Sequence, residues 1–138
     1  MSDIFISYKR EDLARVETLT ALLMDLGLSV WFDAGIDVGA EWERPIYDEI
    51  GKSKAMIVCW SFAALSSHWV VREAQIGFDR NILVPVMIQP CSLIAPFDTL
   101  QAADLTNWDG APDHVELQKA LGRLGQLLGR ENVARNAR

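Results

Sequence analysis

The 138-residue chain is 50% hydrophobic and 23% charged, and 13 Lys and Arg against 19 Asp and Glu leave a net charge of −6. That is one domain's worth of sequence, too apolar for disorder and without the clustered cations that phosphate backbones require; it is a poor candidate for a general nucleic-acid binder, and no direct nucleic-acid partner is expected. The longest apolar run, residues 82–88, holds Pro85 and is far short of a membrane span; no leader-like stretch opens the chain, and the two lone cysteines, Cys59 and Cys91, do not staple it.

These features lead us to expect a soluble, cytoplasmic, single-domain protein. Residues 4–8 form a brief apolar run that predicts a strand buried on both faces. Lys9, Arg10, Glu11 and Asp12 interrupt it with charge. Leu13, Val16, Leu19, Leu22, Leu23 and Leu26 then recur at helical spacing, and Gly27 provides a stop. Residues 28–32 predict a second strand, followed by a loop over 33–42 with Gly35, Gly39, Asp33, Asp37 and Glu41. Pro45 suits the first turn of a short helix that Gly51 ends. Residues 55–60 are the third and most apolar strand, residues 61–80 a single helix, and residues 82–88 a fourth strand that Pro85 would ordinarily place at an edge. A short fifth strand within 100–105 and a helix over 115–128 follow. The stretch 129–138 has no apolar period and reads as a linker or frayed tail.

Alternating strands and helices argue for a parallel sheet covered on both faces, and right-handed crossovers favour a flavodoxin-like five-stranded order, 2-1-3-4-5. Ligands of such α/β sheets sit beyond the carboxyl ends of the strands, where the order reverses. Residues 8–12, 33–42 and 61–73 should meet there. The loop after the first strand contains no glycine, which excludes a conventional dinucleotide turn. His68 and His114 lack metal-ligand spacing, neither cysteine has a histidine partner, and the first and third strands end without the acids of a phosphorylatable receiver.

Two groups remain. Lys9 and Arg10 are the main cations near the expected crevice; they either pair with Glu11 and Asp12 or contact a phosphate or carboxylate. Trp69 and Glu73 stand four residues apart and share a helix face. Their arrangement is either a half-buried indole beside an exposed acid paired to Arg72, or a stacking platform beside a desolvated carboxylate. A single acid argues against a two-carboxylate glycosidase.

Together these residues resemble the Toll/interleukin-receptor (TIR) family in its bacterial form. Asp3-Ile4-Phe5-Ile6-Ser7-Tyr8 is similar to the family's first box, and Phe32-Asp33 with Gly39 and Trp42 to the second box and its loop. Ser67-His68-Trp69-Val70-Val71-Arg72-Glu73 follows the Ser-x-Trp-x-x-x-Glu pattern, and Ile82-Leu83-Val84-Pro85-Val86 the fourth strand, which accounts for its proline. The resemblance spans residues 3–128, so a domain over 1–128 is expected.

It implies NAD+ nucleosidase activity, breaking the nicotinamide–ribose bond to give ADP-ribose or a cyclic form, with Glu73 catalytic. Tyr8, Lys9, Arg10, Asp33, Asp37, Ser61 and Trp69 complete the implied substrate-binding set. No metal or cofactor is implied; NAD+ is the substrate. A single carboxylate suits this reaction, because neutral nicotinamide leaves without a general acid. The resemblance further implies self-association through TIR–TIR contacts, a C-terminal sensor domain in the native protein, and NAD+ depletion in antiviral defence. Its other implication is a non-catalytic adaptor acting only by TIR–TIR contacts, in signalling or host mimicry. The second box lacks the Pro-Gly of many adaptors, its loop is about one residue shorter than in animal NAD-cleaving relatives, and Val70 replaces the family cysteine after Trp.

Overall fold

Every residue of Ile4–Ser7 (β1) and Ala55–Trp60 (β3) is buried, because helices cover these strands on both faces. Their sequences are therefore unbroken apolar runs instead of alternations. In the computed structural model, which describes residues 3–32, 43–130 and 132–137 (backbone alone at 32 and 43–47), the two strands form the centre of a parallel five-stranded sheet. Val30–Phe32 (β2) flanks β1, and Leu83–Met87 (β4) and Ala103–Asp104 (β5) continue the sheet beyond β3. The order is β2-β1-β3-β4-β5, as the alternation of elements predicts, with Ile4 opposite both Val30 and Ala55.

Period-two alternation divides the core. Ile4, Ile6, Ile57, Cys59, Val84 and Val86 face Leu13–Asp25 (α1) and Val115–Leu128 (α5), meeting Val16, Leu19, Leu121 and Leu124. Phe5, Met56, Val58 and Trp60 face the other way, toward Glu43–Lys52 (α2), Phe62–Leu65 (α3) and His68–Asp79 (α4). Each fully buried side chain of this size contributes about 1.5–3 kcal/mol, so the two layers carry most of the stability. Phe97 closes the second layer, its ring centroid 5.1 Å from that of Trp60 and 6.1 Å from that of Phe78. No helix among the described residues is long and apolar enough to cross a membrane.

Pro85 sits inside the sheet, not at its edge, and the hydrogen-bond register explains how. Met56 N–H donates to Ile82 O and Ile88 N–H to Trp60 O, so the even-numbered residues of β4 bond toward β3. Pro85 therefore turns its nitrogen toward the β5 side. There the partner strand starts only opposite Val86, and no ladder hydrogen bond is lost.

Three other expectations change in detail. The single helix over 61–80 is two helices: Ser67 leaves helical geometry (φ −91°, ψ 118°), and its Oγ accepts from Val70 N–H at 3.3 Å to cap α4. Helix α2 runs past Gly51, because Ser53 and Arg80 satisfy its last carbonyls. Ser53 Oγ donates to Glu49 O at 2.7 Å, and Arg80 donates to Ile50 O. The described residues after α5 are ordered into a turn and a helix: Gly129 takes a left-handed conformation (φ 69°), and Val133–Asn136 (α6) packs so that Val133 and Ala137 join the α1/α5 core.

Candidate active site

The carboxyl ends of β1 and β3 are adjacent, and the chain leaves them on opposite faces of the sheet. Ser7 ends β1 on the side of Phe5, which is the side that α4 covers. On α4 the residues turned inward are Val70, Glu73, Ala74 and Gly77, the i, i+3, i+4, i+7 stripe of a core-facing helix. Glu73 thus occupies an apolar position. It is 8% exposed, not solvated, and Ser7 Oγ–H donates to its Oε1 at 2.9 Å across 66 residues of sequence. A buried carboxylate without such a donor carries a desolvation cost of several kcal/mol.

Gly77 sets how deeply this carboxylate sits. A Cβ there would lie 2.7 Å from Met56 Sδ and 3.2 Å from Leu83 Cδ1, so a larger residue would have to displace these side chains for α4 to settle onto β3 and β4 at this depth. One turn earlier along the same stripe, that approach brings Glu73 to the end of β1.

A second cross-link ties the loop after β1 to the end of β3. Residues 10–12 form a 3-10 turn, and Asp12 Oδ2 accepts from Ser61 Oγ–H at 2.5 Å. The same Ser61 oxygen accepts from Ala64 N–H at 3.1 Å and caps α3. Ser61 is fully buried, so its hydroxyl is committed to holding the loop and the helix start. Asp12 also bears on the thiols. Burial, then the Asp12 charge, pushes Cys59 up to about 12, and the same causes raise Cys91. Neither thiol is activated as a nucleophile.

The other expected residues fall around this centre. Tyr8 is half-buried and packs on the α1/α5 core, so alternation separates its ring from the Ser7 side chain. Lys9 is half-buried and Arg10 exposed, and among the described residues neither forms an ion pair with Glu11 or Asp12. Trp69 is half-buried, with the Arg72 guanidinium 5.8 Å from its ring centroid. Arg72 therefore lies over the indole, and Glu73 is not an exposed acid. Asp33 and Asp37 lie outside the described residues. Ser7 is the residue that sequence reasoning passed over. The signal was present: a hydroxyl ending a strand buried on both faces must find a partner.

The described residues thus form a flavodoxin-like sheet with a buried carboxylate at its switch point and no glycine in the turn after β1. The sequence pattern of the TIR domain matches residues 4–121, and the chain belongs to the TIR domain family. The probable 2' cyclic ADP-D-ribose synthases TcpB of Brucella abortus (strain 2308) and Brucella melitensis biotype 1 are 40% identical over 73 residues. That match covers 51% of this chain and 29% of theirs, so the chain matches less than a third of the length of these relatives. The TIR domain of the Toll-related receptor TRR-2 from Hydra magnipapillata superposes with a TM-score of 0.71 at 23% identity, covering 81% of this chain and 90% of that one. The TIR domains of the activated Roq1 resistosome superpose with a TM-score of 0.60 at 19% identity, covering 94% and 98%. At these identities the structural likeness is one of fold.

Proposed function

We propose that this TIR domain is an NAD+ nucleosidase in which Glu73 is the catalytic carboxylate. The observation that carries this reading is the position of Glu73: buried, bonded by Ser7, and set at the strand ends where α/β sheets take their ligands. The partial likeness to proteins named probable 2' cyclic ADP-D-ribose synthases supports chemistry that yields an ADP-ribose product.

Nicotinamide leaves with the electron pair of the ribose C1–N bond, which neutralises its ring nitrogen and leaves an oxocarbenium ion on the ribose. A fixed carboxylate within reach of that ring stabilises the developing charge. Water then adds its oxygen to C1 and releases one proton, giving nicotinamide, ADP-ribose and H+. A hydroxyl of the same molecule in place of water gives a cyclic product. Lys9 and Arg10 supply the cations for the diphosphate, and Trp69 a flat surface for a base or nicotinamide ring. The buried Ser61 serves by fixing the loop that carries Lys9 and Arg10. Self-association of TIR domains completes the site, so specific activity should rise with protein concentration.

Incubating concentrated protein with NAD+ and separating nicotinamide by chromatography tests the reading. Glu73→Gln should lower release by roughly 100-fold or more while leaving the fold intact. No release from assembled wild-type protein would leave the interaction-only reading. Equal release from the variant would move the catalytic role elsewhere. The product mass separates linear from cyclic ADP-ribose.

A further inference from the structure

We infer that Ser7 is the positioning residue for Glu73, holding one carboxylate oxygen in place; this rests on the NAD+-cleaving reading above. The hydroxyl has a single proton, and at 2.9 Å it is directed at Glu73 Oε1. Ser7 is 2% exposed, so water does not compete for that proton. Nothing in the strand requires a hydroxyl here, because the neighbouring positions of β1 are all apolar.

The two residues come from separate elements: Ser7 from β1 and Glu73 from α4, which packs through Gly77 against Met56 and Leu83. A glutamate has three side-chain torsions, and a carboxylate that rotates loses its aim at a reacting ribose. The Ser7 donor fixes the end of that side chain. Ser7 acts through Glu73 and needs no contact with substrate.

The experiment compares Ser7→Ala and Ser7→Thr with wild type in the nicotinamide-release assay, with thermal melts as the check on folding. Ser7→Ala should lower kcat roughly 10- to 100-fold, the range of a lost hydrogen bond to a charged group, with KM changed by less than about 2-fold. Ser7→Thr should restore kcat. Added to Glu73→Gln, Ser7→Ala should cause no further loss, because the group it positions is already gone. A fall in KM-related binding alone, or full activity in Ser7→Ala, overturns the inference.

A readout independent of turnover separates this inference from the reading beneath it. In protein carrying 13C at the glutamate side-chain carboxyl carbon, the Glu73 resonance should shift in Ser7→Ala and return in Ser7→Thr. If the resonance responds but wild-type protein releases no nicotinamide, the NAD+ reading falls while the Ser7–Glu73 coupling stands. If the resonance is unmoved, the coupling is overturned whatever the activity.

Discussion

Cys59 shows how one buried group writes a pH dependence into the fold. Its thiol is pushed from the usual value of 9.0 up to about 12, first by burial and then by the Asp12 charge. Below pH 9 the folded and unfolded chains both keep this proton, and its contribution to stability is intact. As the pH climbs from 9 toward about 12, the unfolded chain alone ionises and stability falls. Cys59→Ala should therefore flatten the loss of stability in denaturant titrations at pH 9–11, whatever offset its smaller side chain introduces. In native protein near pH 8, iodoacetamide should modify the half-buried Cys91 slowly and spare Cys59; equal labelling of both would contradict the burial. Ser61 has the opposite character, since its one hydroxyl serves two partners. Ser61→Ala removes both the α3 cap and the donor to Asp12, and should cost about 1–3 kcal/mol in chemical denaturation.

At the scale of elements, α4 positions the carboxylate, and Gly77 is its closest approach to the sheet. Gly77→Ala gains helix propensity of up to about 1 kcal/mol but places a methyl carbon against Met56, itself fully buried. The clash should win. We expect a net destabilisation of about 1–3 kcal/mol and an additional loss of nicotinamide release, because a lifted α4 withdraws Glu73 from Ser7. Pairing Gly77→Ala with Met56→Ala should recover part of the activity if spacing is the cause.

The same helix marks what the amino-acid order discloses. Trp69 and Glu73 are legible as a pair, since four-residue spacing on a helix is local information. The burial of Glu73 is not, because it depends on a glycine's fit to β3 and on a serine 66 residues away. The break before α4 is equally hidden. Ser66 and Ser67 are tolerated within helices, and only the geometry of Ser67 shows that its hydroxyl caps a new one. Strand β3 and helix α5, by contrast, fall at the residues their apolar patterns predict.

For the molecule as a whole, the strand order follows from alternation and crossover handedness, which are general rules. The site inherits its place from that order. The net charge of −6 conceals the local cations Lys9 and Arg10, which the β1 turn carries to the same end as Glu73. The α5–α6 corner lies at the other end. Arg130 reaches Asp3 Oδ2 at 3.7 Å and Gly27 O at 3.5 Å, beside the start of β1. Arg130 thus marks the amino pole of the sheet, and Glu73, bonded to the last residue of β1, the carboxyl pole. A molecule anchored to a bead or scaffold through that corner would stand with the Glu73 end of its sheet facing outward. A crowded layer of such molecules would be oriented alike, each presenting the same pole to solution.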